Sequence, residues 1–399
     1  MSNVGQSPNR TFQHITPALR LFSGRDCLQQ LGRELDRIGS RRAVVVCGNW
    51  AEGPLLEAIR LTTGERLAGI VSNVQAHSPL SSVQEAADAM KRLDADAVIA
   101  LGGGSSIVTA RAASILLAEE GDPRSLCTRR DASGKLHSPK LNQPKLPQFI
   151  VPTTPTTAMV KAGSAVFDPD SGERLALFDP KTRAHAIFIS PEFFLSSPVG
   201  LSVSASLNTF SMAIEGLVSR AGDPISDALM THALRLLIEY LPRAVQPEDI
   251  EAREALMHAA VLCGQGSDYT AAGVTTVLGH AIGARHHVDN GIVNAIVLPH
   301  VLRFNGTVAA PGLSHIATAL GLHAGQDTPE VLDRIVRSVE DLFRVLGVPR
   351  KLRDVGLEQD KLQDVANHAM GDWFLTGNPR TVRSCLLYTS DAADDTPCV

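Results

Sequence analysis

Four histidines, His280, His286, His287 and His300, fall inside Gly273–Asn305 of a 399-residue chain that has thirteen in all. The stretch reads GVTTVLGHAIGARHHVDNGIVNAIVLPHVLRFN, otherwise mostly apolar and punctuated by Gly279, Gly283 and Gly291. Imidazoles at that density suit metal binding or proton transfer. His286 and His287 are adjacent and point in different directions, so at most one of them can turn towards a shared site. A second stretch, Leu101–Ser106, puts three glycines directly after a run of buried-strand character. Glycine lets backbone N–H groups approach a pyrophosphate, and a helix N-terminus behind them favours negative charge. A third, the threonine-rich loop 153–157, places hydroxyls where they can also hold phosphate. Cys47 and Cys263 lie in apolar runs and read as core residues, not as nucleophiles.

The elements that must position these residues follow from periodicity. Arg42–Cys47, Gly69–Val74, Ala95–Leu101, Gln148–Val151 and Ala186–Ile189 are short apolar runs typical of strands buried on both faces. Between them, Cys27–Ile38, Glu52–Leu61, Ser81–Leu93 and Ile107–Glu120 carry helical spacing. Residues 1–20 read as an arm leading to a strand, Asp122–Pro147 as a surface loop, and Ala162–Phe167 with Arg174–Phe178 as a hairpin. Beyond Pro191 the patterns are helical: 204–219, 225–241, 247–264, 271–284, 290–304, 313–320, 329–346 and 360–369. Asp289 reads as the cap of the helix that starts at Asn290. The expected architecture is an α/β N-terminal domain with a doubly wound, Rossmann-like parallel sheet over 1–190, then an all-α C-terminal domain over 191–383. Residues 384–399 break the pattern and read as a non-native tail.

Four segments, ALGGGSSIVTARAA (100–113), VPTTPTTA (151–158), SLNTFSMAIEGLVS (206–219) and GHAIGARHHVDNGIVNAIVLPHVLRFN (279–305), together resemble the iron-containing alcohol dehydrogenase family, a relative of dehydroquinate synthase. The resemblance spans residues 15–383. It implies an NAD(P)-binding domain, a helical domain, and hydride transfer in a cleft between them. It also implies that Gly102, Gly103, Gly104 and Ser105 cradle the pyrophosphate and that Thr153, Thr154 and Thr157 flank the nucleotide. NAD-preferring members carry an aspartate at the end of the first strand. Gly48 stands at that place here, and without a carboxylate to repel a 2′-phosphate the reading leans to NADP(H). Ser106 and Val108 depart from the family's usual proline and aspartate.

The family's metal ligands are an Asp and a His four residues apart, then two further His. The matching positions hold Asn208, Met212, Thr276 and Asn290. Neutral oxygens and a thioether lack the charge or imidazole that a hard or borderline divalent cation favours, so no tightly bound metal is expected. His280 matches the family's cofactor-facing histidine and reads as the proton donor. Arg285 and His286 read either as the anchor of a substrate carboxylate or as a solvated basic turn. Asn208, Met212, Thr276, Arg285, His286 and Asn290 form the expected substrate pocket, and His300 reads as structural.

Composition fits that reading. Charged residues make up 20% and apolar ones 44%, as in a globular protein, and the net charge of −5 argues against nucleic-acid binding. No stretch reaches the ~18 apolar residues of a membrane span. The N-terminus has no signal-peptide core, and the six scattered cysteines fit a reducing cytoplasm. The sequence thus predicts a cytoplasmic NAD(P)H-dependent oxidoreductase, homodimeric by analogy. It would act on the alcohol, carbonyl or activated enone of a small, carboxylated substrate by metal-independent hydride transfer. In this respect it is similar to the maleylacetate reductases of the same superfamily. A metal-dependent alcohol dehydrogenase with shifted ligands and a catalytically silent nucleotide-binding protein remain the alternatives.

Overall fold

The structure is a computed structural model that describes residues 11–51, 53–131, 136–322 and 328–382. The segment 384–399 lies outside the described residues. Pro17–Pro198 form one compact unit, and the residues from Val199 onward, with the segment ending at Thr16, form the other.

The first unit is built on a six-stranded parallel sheet. In chain order its elements are β1 (Arg20–Ser23), α1 (Gln30–Arg37), β2 (Ala43–Val46), α2 (Pro54–Thr63), β3 (Leu67–Val71), α3 (Leu80–Arg92), β4 (Ala97–Gly102) and α4 (Gly104–Ala118). Two-residue strands β5 (Arg129–Arg130) and β6 (Leu136–His137) follow. Then come β7 (Gln148–Pro152), the hairpin β8 (Gly163–Asp168) and β9 (Glu173–Phe178), β10 (Ala184–Ile189) and the short α5 (Pro191–Phe194). The sheet order is β1-β10-β7-β4-β2-β3. β2, β4 and β7 are buried along their whole length, which accounts for their unbroken apolar runs. Leu31, Leu35, Val45, Ile99, Phe149 and Phe188 join sheet and helices in one core. The chain runs β2 to β3 towards one edge, and β4 then pairs with the other side of β2. That reversal opens a crevice at the carboxyl ends of β2 and β4, where open α/β sheets take their ligands.

The second unit is helical: α6 (Val199–Val218), α7 (Pro224–Tyr240), α8 (Ile250–Thr270), α9 (Val274–His286), α10 (Asn290–Asn305), α11 (Ala310–Ala319), α12 (Thr328–Val345) and α13 (Leu362–Gly371). Leu207, Phe210, Leu234, Leu298 and Ile335 centre one cluster, and Val277, Ile282, Val293 and Val365 a second. Asp223 starts α7 with a capping box, accepting from the Ile225 and Ser226 N–H groups. The arm expected only to lead into the sheet instead joins this unit. His14 Nδ1 lies 3.0 Å from the Asp223 carboxylate, its ring stacks on Tyr269, and the Tyr269 hydroxyl accepts the Ile15 N–H at 2.8 Å.

Three local expectations shift. The helix read over Cys27–Ile38 opens as a 3₁₀ turn, Cys27–Gln29, before α1. Gly32 lies within α1, where a Cβ would stand 2.7 Å from the Thr62 carbonyl of α2, so the helices approach closely there. α4 begins at Gly104, earlier than the Ile107 start read from the sequence, so the glycine run is itself the helix entrance. α8 continues to Thr270, since Gly266 admits Met230 of α7 instead of ending the helix.

Candidate functional site

β4 ends at Gly102, whose φ of +138° belongs to the region glycine tolerates. Gly103 is the N-cap of the 15-residue α4, so the first N–H groups of that helix emerge at the crevice. Strand pairing sets Gly102 beside Pro152, and the Thr153 N–H donates to the Gly102 carbonyl at 3.1 Å, which joins the glycine and threonine loops. A Cβ on Gly103 would stand 2.8 Å from Thr154 Oγ1, and one on Gly104 3.3 Å from Thr156 Oγ1. These glycines keep the helix entrance narrow and bare, which fits the pyrophosphate of a dinucleotide. Ser105 is half-buried and its carbonyl accepts the Ser78 hydroxyl at 3.0 Å.

The structure ranks the threonines differently from the sequence. Thr153, Thr154 and Thr157 are all buried, whereas Thr156 is half-exposed and nearest Gly104. Thr156 also caps the 3₁₀ turn Thr157–Val160. That turn is held from behind by Arg111 of α4, a fully buried arginine. Its guanidinium donates to the Ala158 carbonyl at 2.6 Å and to the Gly163 carbonyl at 2.8 Å. One helix thus presents its N-terminus to the ligand crevice and anchors the second loop through its body.

Gly48 follows β2 at the same crevice. A Cβ on it would stand 2.5 Å from Trp50 Nε1, and one on Gly102 3.1 Å from the same indole. The Trp50 indole packs against both glycines, yet remains 48% exposed. Cys47 beside it is buried, and burial pushes its thiol up to about 11, so it stays protonated.

In the helical unit, α6, α9 and α10 carry the positions at which the family resemblance implies metal ligands. The Asn208 amide hydrogen-bonds that of Asn294 at 2.9 Å. Met212, one turn on, packs against the apolar cluster. The Thr276 hydroxyl donates to Glu215 Oε2 at 2.6 Å, and the Thr275 and Thr276 N–H groups donate to the same carboxylate at 2.6 and 3.2 Å. Glu215 is 3% exposed and caps α9 from α6. Burial raises its pKa, against the pull of the bonds from Thr276, Gly273 and Thr275. The Asn290 amide lies over Gly283, and Asn294 over Gly279. Two amides, a thioether and a hydroxyl given to a carboxylate are not a donor set that fits a divalent transition-metal ion. Among the described residues no group of three or more His, Cys, Asp or Glu is arranged to hold one.

His280, one turn beyond Thr276, is 13% exposed; its Nδ1 lies 2.9 Å from Asp372 Oδ2 and its ring 5.7 Å from that of Phe374. Arg285 faces Asp364 at 3.8 Å. Among the described residues His286 Nε2 is buried without a hydrogen-bond partner, and burial, then the Arg285 charge, lowers its pKa. His287 takes a left-handed conformation at the end of α9 and is exposed. Burial, then Arg303, lowers the pKa of His300. Glu215, Asn294 and Asp372 were missed by the sequence reading. Only Glu215 had a local signal, a carboxylate in an apolar run one turn past Met212.

No helix among the described residues is long and apolar enough to cross a membrane. The chain is 28% identical to the NAD-dependent methanol dehydrogenase of Bacillus methanolicus, over 90% of this chain and 93% of that protein. It is 27% identical to maleylacetate reductase 1 of Cupriavidus pinatubonensis, over 95% of each. A solved 1,3-propanediol oxidoreductase superposes with a TM-score of 0.88 at 21% identity, over 96% of this chain and 99% of that one, and supports the fold. Residues 17–191 match the family described as "Iron-containing alcohol dehydrogenase", and residues 202–385 its C-terminal counterpart. With both its sheet unit and its helical unit matched, the chain belongs to the iron-containing alcohol dehydrogenase family and is an oxidoreductase of the alcohol dehydrogenase or reductase class.

Proposed function

We propose that the protein is an NAD(P)H-dependent reductase of a small carbonyl or enone substrate that bears a carboxylate, and that it works without a catalytic metal. The observation that carries this is the Thr276–Glu215 bond, together with Asn208, Met212 and Asn290 at the remaining ligand positions. Where no cation polarises the substrate oxygen, hydrogen-bond donors must do so. The Asn208 and Asn290 amides are donors of that kind, with His280 delivering the proton. A substrate whose keto group or double bond is already activated suits such a site. The likeness to a protein named maleylacetate reductase supports that substrate class.

The glycine loop and Thr156 would hold the pyrophosphate. When bound, the reduced nicotinamide supplies the hydride. NADP(H) is favoured because Gly48 offers no carboxylate to a 2′-phosphate. The test is an NAD(P)H oxidation screen over aldehydes, ketones, keto acids and enone acids, run with and without chelator on protein of measured metal content. Turnover that survives chelation at far below one metal per chain supports the reading. Near-stoichiometric iron or zinc with activity lost to chelator overturns its metal-free part. Nucleotide binding with no turnover on any substrate overturns the reductase itself.

A further inference from the structure

Asp372 follows α13 and opens the 3₁₀ turn Trp373–Gly377. Its two carboxylate oxygens have separate duties. Oδ1 accepts the Phe374 N–H at 2.9 Å and so caps the turn; Oδ2 lies 2.9 Å from His280 Nδ1. Both side chains are largely withdrawn from water, 13% exposed for His280 and 10% for Asp372, and the Phe374 ring flanks the imidazole. A carboxylate anchored by a backbone donor cannot swing away from the ring it faces. An ionised carboxylate is an acceptor only, so the nitrogen facing it must carry hydrogen.

We propose that Asp372 is the positioning residue for His280. It holds the neutral imidazole in the tautomer protonated on Nδ1, so that proton exchange with the substrate oxygen falls to Nε2. This rests on the reading of His280 as the proton donor. A bound reduced nicotinamide would supply the hydride, with its electron pair, to the carbonyl carbon and would itself be oxidised. The C=O π pair moves to oxygen, and the proton on Nε2 of the imidazolium passes to that oxygen. The ring returns to the Nδ1-protonated neutral form, which the carboxylate has stabilised throughout.

Asp372→Asn separates this role from a purely structural one. Asparagine caps a turn nearly as well as aspartate. Its amide can offer N–H to His280 Nδ1, which favours the opposite tautomer. Nitrogen-15 spectra of histidine-labelled protein, with the His280 resonance identified by its loss in His280→Gln, read the tautomer directly. We expect Nδ1–H in the native protein, Nε2–H in Asp372→Asn, and a kcat reduced about 100-fold with the cofactor KM changed less than about 3-fold. Native protein showing His280 mainly as Nε2–H overturns the proposal without any variant. Full kcat in Asp372→Asn with activity lost in His280→Gln overturns it and spares the His280 reading. Full kcat in His280→Gln overturns both.

Discussion

The Thr276 hydroxyl donates to Glu215 Oε2 at 2.6 Å, from a helix whose first N–H groups donate to the same carboxylate. An acidic side chain of α6 thus does for α9 what an N-cap residue does for its own helix. Glu215→Ala leaves three N–H groups and a hydroxyl without that acceptor. At about 1–3 kcal/mol per unsatisfied buried group, we expect a loss above about 3 kcal/mol. Glu215→Gln keeps an acceptor oxygen and should lose less than half as much. Urea midpoints compare the three, and an Ala variant as stable as the native protein would refute the cap.

Arg111 ties α4 to the turn after the threonine loop through the Ala158 and Gly163 carbonyls. Arg111→Met keeps the length and removes the donors. It should destabilise the sheet unit by about 3 kcal/mol and raise the NADPH dissociation constant, because the turn behind Thr156 loosens. Arg111→Lys, with one point charge in place of a fork, should recover only part of both. Denaturation and nucleotide titration on the same preparations read the two effects together.

The Gly48 and Trp50 geometry bears on cofactor choice. Gly48→Asp alone meets the indole at the Cβ, so it belongs with Trp50→Ala. In that double variant the ratio of kcat/KM for NADPH over NADH should fall about ten-fold or more relative to Trp50→Ala, through repulsion of the 2′-phosphate. The chain has two tryptophans, Trp50 and Trp373, so Trp373→Phe leaves Trp50 as the sole reporter. NADPH should quench its emission, and emission unchanged at saturating NADPH would place the nucleotide elsewhere.

Acid should loosen the helical unit through Asp223. Burial alone would raise this carboxyl, but the bonds from His14, the Ser226 N–H and the Ile225 N–H outweigh it and hold the pKa below the usual range. A depressed carboxyl contributes stability that is present above its unfolded pKa of about 3.9. That contribution is lost as pH falls through the lower folded value. Asp223→Asn keeps a capping oxygen and gives up the charge. It should therefore be less stable than the native protein at pH 7, with the gap closing below about pH 4. Thermal melts across pH 3–7 measure the gap; a gap independent of pH would contradict the assignment.

The sequence disclosed what local chemistry governs. Val44–Val46 and Val98–Leu101 are buried and read as such. The hairpin turned where Asp168–Gly172 said it would, with Gly172 at a φ of +68°. Contacts between distant segments were hidden. Asp372 is 92 residues from His280, and no periodicity connects them. Trp50 reads as an ordinary loop residue until strand pairing brings Gly102 beside Gly48's strand. Asp289 occupies the N-cap position as expected, yet its side chain makes no capping bond, so position was legible and pairing was not.

The arm that carries His14 belongs to the helical unit although the whole sheet unit lies between them in the chain. Its partner Asp223 is 209 residues downstream. On a ribosome adding about 5–20 residues per second, His14 is made roughly 10–40 s before the carboxylate that receives it. A segment made before the sheet unit is thus seated only after it. Seating the arm therefore waits on chain that lies beyond the whole sheet unit.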